Sequence, residues 1–189
     1  MVSALMILKW MWGVFGVYWI LAAMSATKKT VAGEHSRWRV LRWSILTLTF
    51  VLLLTNWLRV GPLGWRLIPD HATVHWLGVV VTTAGLLLCI WARRSLGAYW
   101  SDKIVLKEGH QLIQTGPYAR MRHPIYSGVL FAIAGTALAV GEWRGIAALA
   151  LLGANYVIKA RREERILTAH FSEAFIQYKS RAGFLLPKL

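Results

Sequence analysis

The chain has 189 residues, of which 57% are hydrophobic and only 16% are charged. Soluble domains contain about 45–50% apolar and about 25% charged residues, so a soluble globule of this length could not bury so much apolar surface. The composition also excludes a disordered chain, and a single cysteine excludes a disulfide framework or a cysteine-based zinc cluster. The formal net charge of +14 is better explained by basic loops flanking membrane spans than by nucleic-acid binding.

Five long stretches without Lys, Arg, Asp or Glu predict five membrane-spanning helices. In chain order they contain 18, 16, 22, 19 and 14 residues, whereas a spanning helix needs about 20. The second and fifth stretches reach that length only if flanking Arg and Lys side chains extend to the interface. We expect an all-α integral membrane protein, a single domain over residues 1–189, with transmembrane helices at about 4–26, 40–58, 73–92, 125–141 and 144–160.

The connections between these helices differ greatly in length. Residues 141–145 alone separate the fourth and fifth helices, which predicts a tight antiparallel hairpin. The loop 93–123 and the tail 161–189 are much longer, and functional residues concentrate in such segments. We expect short extended pieces around Gly109 in the loop. We also expect a C-terminal helix from Lys159 to about Arg181, since apolar residues recur there at three-to-four spacing.

The basic residues predict the orientation of the helices. Of the 22 Lys and Arg residues, 18 lie in three segments, 28–42, 93–122 and 159–189. Because Lys and Arg accumulate in cytoplasmic loops, this bias places the N-terminus outside and the C-terminus in the cytoplasm, in agreement with five crossings. The short outer loops favour a prokaryotic cytoplasmic (inner) membrane.

A dense motif over 116–128 joins the loop to the fourth helix. Pro124 suits the first turn of a helix, so His123 lies at the N-cap and Tyr126 in the first turn. Such a helix start offers free backbone N–H groups to an anion, and the Arg122 guanidinium suits a carboxylate. Alternatively, Arg122 marks only the headgroup boundary and His123 merely caps the helix.

A second constellation begins at Asn155, the only strongly polar side chain between Arg144 and Lys159. A polar group inside a membrane must face a partner, so we expect it to point inward. Asn155, Lys159 and Glu163 are spaced by four and share one helical face, and Glu164 follows. The hairpin brings this face near the motif of the fourth helix. Alternatively, the two glutamates pair with neighbouring arginines on a solvated helix.

Together, these motifs resemble the isoprenylcysteine carboxyl methyltransferase family, whose relatives include phospholipid methyltransferases. The resemblance rests on Gly-Pro-Tyr at 116–118, Arg-His-Pro-x-Tyr-x-Gly at 122–128, and Glu163-Glu164 followed by Leu167, Phe171, Phe175 and Tyr178. It implies a membrane enzyme that uses S-adenosyl-L-methionine. The cofactor would be bound by the loop 93–123 and the C-terminal segment, and a tunnel from the bilayer would admit the acceptor.

The resemblance also implies roles for individual residues. Arg122 and Lys159 would be catalytic and would orient the acceptor. Lys159 stands where eukaryotic members have arginine. No metal site is expected. His71 and His75 are four residues apart, but no glutamate follows His71 as the zinc-protease motif requires. Cofactor binding would fall to Gln114, Gly116, Tyr118, His123, Tyr126, Asn155, Glu163 and Glu164.

The predicted function is therefore S-adenosyl-L-methionine-dependent methylation of a lipophilic acceptor from the bilayer, with membrane lipids as surroundings and no nucleic-acid partner. The resemblance implies that carboxyl methylation of an isoprenylcysteine-type acceptor is the main prediction. An ionised carboxylate or thiolate acceptor needs no general base, whereas an amine must first lose a proton. The alternatives are a phospholipid N-methyltransferase, a thiol S-methyltransferase and a non-catalytic membrane scaffold.

Overall fold

The structure is a computed structural model that describes residues 3–24, 30–33, 36–101, 105–107, 109 and 111–188. The described chain is mostly helical, with one small two-stranded sheet. The helices are α1 (Ala4–Met24), α2 (Ser36–Leu54), α3 (Ala72–Leu96), α4 (Pro124–Val140), α5 (Trp143–Phe171) and α6 (Glu173–Arg181), and the strands are β1 (Thr30–Gly33) and β2 (Val105–Lys107).

Each of the five predicted apolar helices has a counterpart in the structure, although the ends differ. Helix α2 covers residues 36–54 rather than 40–58, and α3 continues past residue 92 to Leu96. The added residues include arginines, because charged residues are compatible with a helix and a charge-free stretch marks only its apolar part. Residues 55–58 carry no charge but form a turn, in which the Arg59 N–H donates to the Asn56 carbonyl at 3.1 Å. Residues 25–26 of the first predicted helix lie outside the described residues, as do Lys28, Lys29 and Lys103 of the charge count.

The C-terminal helix predicted from Lys159 to about Arg181 is helical in the structure, but its predicted start and continuity are wrong. Helix α5 runs without interruption from Trp143 to Phe171, and the break comes at Ser172. Ser172 has a φ of 47°, which is uncommon for a residue with a side chain. The break turns α6 back, so that Phe175 and Tyr178 are buried against Leu112, Leu167 and Phe171.

The small sheet was not part of the all-α expectation. Strand β1, between α1 and α2, pairs antiparallel with β2 from the loop 93–123, with Thr30 opposite Lys107 and Gly33 opposite Val105. Strand β2 corresponds to an extended piece predicted near Gly109, whereas β1 was not predicted. The pairing joins the two loops that were predicted to be cytoplasmic.

Helices α3 and α4 form the closest helix pair, and glycines allow the approach. A Cβ at Gly85 would lie 2.5 Å from the carbonyl oxygen of Gly128, and one at Gly78 would lie 2.6 Å from that of Gly135. Small residues at helix contacts let backbones approach closely, a packing mode common in membranes. The pair α3–α4 therefore forms the rigid centre on which α1 and α5 pack.

The hairpin of α4 and α5 is present and is tied to α2 at its turn. Gly141, in the left-handed conformation, ends α4. The buried Glu142 carboxylate accepts a hydrogen bond from Arg144 Nε at 2.7 Å and lies 3.1 Å from Arg59 Nε. Arg144 Nη1 also donates to the carbonyls of Leu52 (2.9 Å) and Thr55 at the end of α2. This network fixes the end of the bundle at the α4–α5 turn.

Among the described helices, α1 and α3 are long and apolar enough to cross a membrane, and α4 is apolar but shorter. Five transmembrane helices therefore stay a prediction.

We expect Gly85→Ala to lower the free energy of unfolding by about 1–3 kcal/mol, because the added methyl overlaps the backbone of α4. Gly13→Ala is the matched control. Its Cβ meets nothing within 4 Å, so improved helix propensity stabilises by up to about 1 kcal/mol. Unfolding in detergent measures both, and equal effects would contradict the close α3–α4 contact.

Candidate functional site

A cavity of about 760 Å³ runs between α1, α2, α4 and α5 and reaches the end of α3. Its two ends differ in chemistry. One end is apolar and aromatic, and the other is formed by residues of the two predicted motifs. The apolar wall includes Trp12, Phe15, Trp19, Leu46, Phe50, Val129 and Leu152, and the polar wall includes Tyr118, Arg122, His123, Tyr126, Asn155, Lys159 and Glu163.

The Glu164 carboxylate joins three segments just behind the polar wall. Arg122 Nε donates to Oε1 at 2.6 Å, and His123 Nε2 lies 3.2 Å from the same oxygen. Lys179 Nζ of α6 lies 3.3 Å from Oε2. Burial raises the pKa of this carboxyl, but the hydrogen bonds from His123 and Arg122 and the Arg122 charge outweigh burial and lower it to about 2. Glu164 is therefore ionised at neutral pH.

Glu163 lies on the other side of the same helical turn and faces the cavity. The Tyr126 hydroxyl donates to its Oε1 at 2.5 Å, and Lys159 Nζ lies 3.9 Å from that oxygen. His123 Nδ1 is 3.7 Å from Oε2. The two glutamates, treated as one pair in the sequence, thus have different surroundings.

An aromatic stack adjoins these carboxylates. The Tyr126 ring stacks on His123 at 5.4 Å on one side and on Tyr156 at 4.7 Å on the other. Lys159 Nζ lies 5.2 Å from the centroid of the Tyr126 ring. Tyr156 was missed in the sequence, although its spacing to Lys159 and Glu163 places all three on one helical face.

Asn155 faces the cavity, as predicted from the cost of a polar group within a span. Its side chain is only 9% exposed, and it makes no hydrogen bond to any residue in the described part of the chain. Buried amides are nearly always hydrogen-bonded. The donors and acceptor of Asn155 are therefore available to a bound molecule.

The two residues that precede α4 are bound to the C-terminal segment of the chain itself. The backbone N–H of Arg122 donates to the Gly183 carbonyl at 2.8 Å, and that of His123 to Phe184 at 3.3 Å. The Ser127 hydroxyl donates to Leu185. The extended C-terminal segment thus supplies partners only to the N–H groups that precede α4. Among the described residues, the N–H groups of Ile125 and Tyr126 in its first turn have no backbone partner, so an anion site at this helix start stays a prediction.

Arg122 also binds this C-terminal segment. Its Nη1 donates to the carbonyls of Lys179 (3.3 Å) and Ala182. The guanidinium therefore has Glu164 and two carbonyls as partners while it lines the cavity. Orientation of an acceptor by Arg122 stays a prediction, and its contacts point to positioning of the C-terminal segment.

Gln114 and Gly116 do not line the cavity. Gln114 Oε1 accepts a hydrogen bond from Arg181 at 3.4 Å. Gly116 has a φ of 60°, and a Cβ there would lie 2.5 Å from Ser95 Oγ, so glycine is required by the turn against α3. Tyr118 does line the cavity, and its carbonyl accepts a hydrogen bond from Tyr178 at 2.7 Å.

Comparisons with known proteins give a family and a fold. A family model described as phospholipid methyltransferase matches residues 73–174. YpbQ, an uncharacterized protein of Bacillus subtilis (strain 168), is 41% identical over 59 residues, which is 31% of this chain and 35% of YpbQ. The cobalt-zinc-cadmium resistance protein CzcN of Cupriavidus metallidurans is 32% identical over 122 residues, 64% of this chain and 51% of CzcN. The chain thus spans a third to a half of these relatives.

A solved structure has a similar fold. It is the eukaryotic intramembrane Ras methyltransferase ICMT (isoprenylcysteine carboxyl methyltransferase), with a TM-score of 0.54 and 23% identity over 82% of this chain and 53% of ICMT. At this identity the likeness shows the fold alone, which is that of an intramembrane protein.

We expect Glu164→Gln to remove a pH-dependent stabilisation. Because the pKa is lower in the folded state, the carboxylate stabilises above pH 4.5, by about 3 kcal/mol, and this is lost as pH falls towards about 2. Thermal unfolding in detergent between these pH values should show a smaller pH dependence in the variant. Glu173→Gln, at an exposed position of α6, should keep the wild-type profile.

Proposed function

Because the chain belongs to the phospholipid methyltransferase family, we propose that it transfers a methyl group from S-adenosyl-L-methionine to a lipophilic acceptor within a membrane. The observation that carries the proposal is the cavity, in which the half-buried Glu163 carboxylate and an aromatic stack continue directly into an apolar chamber. A charged, water-soluble donor and an apolar acceptor need both environments at one site.

The residues of the polar wall fit this cofactor. The unpartnered amide of Asn155 offers a donor and an acceptor, and the Glu163 carboxylate suits an ammonium or ribose hydroxyls. The Tyr126 ring is covered by His123 and Tyr156, so the aromatic surface we assign to a positively charged sulfur is the face of Tyr156 that does not stack on Tyr126. We therefore assign cofactor binding to His123, Tyr126, Asn155 and Glu163. When bound, the cofactor supplies a methyl group on a sulfonium, which is already activated for attack.

The work of the protein is then alignment and exclusion of water. Proper orientation of two reactants contributes up to roughly 7–11 kcal/mol. The His123–Tyr126–Tyr156 stack and the Tyr126–Glu163 hydrogen bond hold the polar wall in one arrangement. Leu152 and Val129 close the wall on the apolar side.

Lys159 is the residue we assign to the acceptor. Its ammonium lies on the cavity wall between Glu163 and the Tyr126 ring, and its side chain is 11% exposed. A cation there attracts a carboxylate and directs one oxygen towards the donor, which favours carboxyl methylation. An amine acceptor, as in phospholipid N-methylation, would first lose a proton, and the Glu163 carboxylate is placed to accept it.

We also propose five transmembrane helices, an outer N-terminus and residence in a bacterial cytoplasmic membrane. The basic bias of the loops supports the orientation, and the curated relatives YpbQ and CzcN come from bacteria.

Labelled methyl transfer tests the activity and the acceptor class together. The purified protein in nanodiscs, with methyl-labelled S-adenosyl-L-methionine, should label S-alkyl-N-acetylcysteines in preference to phosphatidylethanolamine or an alkyl thiol. Lys159→Met should lower carboxyl methylation about 10- to 100-fold, the loss of a charged hydrogen bond, and Lys159→Arg should restore part of it. Unchanged carboxyl methylation in Lys159→Met would contradict its role, and absence of cofactor binding would indicate a scaffold.

Asn155→Leu should separate cofactor binding from stability. Since the amide has no partner among the described residues, its removal costs the fold nothing and is expected to stabilise by about 1 kcal/mol or more. Cofactor binding, measured by calorimetry, should fall at least tenfold. Asn56→Leu, at an exposed position after α2, should leave binding unchanged. A destabilised Asn155→Leu with normal binding would show that the amide serves the fold.

A further inference from the structure

The apolar half of the cavity is bridged by two aromatic rings, Trp12 on α1 and Phe50 on α2. Their centroids are 4.8 Å apart and their planes are at 78°. Trp12 is only 6% exposed, and its Nε1 donates to the Thr136 hydroxyl of α4 at 3.0 Å. Thr136 is itself within 3.3 Å of the Thr82 hydroxyl of α3. The indole is therefore held in place by the rigid α3–α4 pair.

Between this ring pair and the polar wall, α1 presents the Phe15 ring and the bare backbone of Gly16 to the cavity. The Phe15 centroid lies 5.9 Å from that of Trp12 and 5.1 Å from that of Trp19. Trp19 lies seven residues after Trp12, about 10 Å along the helix, and contacts Trp100 near the polar end at 5.6 Å. Gly16 lies between them and lines the cavity, and a Cβ added there meets nothing within 4 Å.

Gly16 thus differs from Gly85, which close helix packing requires. Glycine inside a helix destabilises it relative to alanine, so a glycine there usually serves close packing or leaves space for another group. At Gly16 no neighbouring residue uses that space.

We propose that the Trp12–Phe50 pair sets the greatest chain length of the acceptor and that Gly16 keeps the slot for that chain open. The proposal rests on the proposed function for the identity of the head group, which would lie at Lys159. An extended alkyl or isoprenoid chain then runs along α1, over Gly16, and is stopped at the two rings. These rings separate the part of the cavity near Gly16 from the part lined by Lys9 and Leu54, one helical turn further along α1 and α2.

Native mass spectrometry tests the chamber independently of turnover. The purified protein is incubated in detergent with an equimolar series of S-alkyl-N-acetylcysteines from hexyl to eicosyl, and the retained lengths are read from the bound masses. Each added methylene lies in an apolar environment both in the detergent micelle and in the chamber. Wild-type protein should therefore retain ligands of different chain length about equally, up to a cut-off length. Beyond it, retention should fall about tenfold, since a pocket that is too short discriminates by this order.

The variants should move that cut-off in opposite directions. Phe50→Ala opens the end of the slot and should extend the retained series by several carbons. Gly16→Leu fills the slot and should shorten it, and this change also improves helix propensity. Leu48→Ala on α2 and Val14→Leu on α1 are the matched controls, because both positions are exposed and neither lines the cavity.

The outcomes separate this inference from the proposed function. A cut-off that is the same in wild type, Phe50→Ala and Gly16→Leu overturns the inference, as does the absence of retained ligand at every length. A cut-off that moves as expected, in a protein that transfers no labelled methyl group, supports the chamber and contradicts the methyltransferase assignment. Methyl transfer with an unmoved cut-off leaves the enzyme intact and rejects the role of the ring pair.

Discussion

The arrangement of the polar wall depends on one ionised carboxylate, that of Glu164. A buried carboxylate without partners would be too costly to keep charged. Here Arg122 and His123 from the start of α4 and Lys179 from α6 surround it. Satisfying this one charge therefore fixes the end of α5 against two other elements. It also determines which way Glu163 points, because successive helical residues are about 100° apart around the axis.

The opposite end of the hairpin is fixed by a second buried charge. Glu142, held by Arg144 and Arg59, ties the α4–α5 turn to the end of α2. With both ends fixed and α3 packed closely on α4, the wall that carries His123 and Tyr126 has little freedom. A site that acts mainly by alignment requires this rigidity, since a small displacement of reacting groups is costly. The opposite wall, formed by α1 and α2, borders the apolar chamber.

The sequence predicted the helices and the two motifs because both signals are local. Apolar stretches must be about as long as a bilayer is thick, and a short link forces the hairpin that brings His123 to Glu163. The partners of Arg122 were not predictable in this way. They are carbonyls of an extended C-terminal segment with no periodicity of its own. The packing of α3 on α4 did have a signal in the sequence. Glycines recur at a spacing of seven on each helix, at Gly78 and Gly85 and at Gly128 and Gly135, but the spacing does not say which two helices pack together.

The charges that face the cavity bear on the choice between acceptors. Among the described lining residues, Lys9, Arg42, Arg122 and Lys159 are cationic and Glu163 is acidic. Arg122 is paired with Glu164, and the Lys159 ammonium lies 3.9 Å from Glu163, so each of these two cations has an acidic neighbour. In the proposed arrangement, the positively charged donor needs Glu163 beside its sulfonium. Lys159 is then left for the acceptor, which favours a carboxylate over an amine, because an amine would need Glu163 to accept its proton.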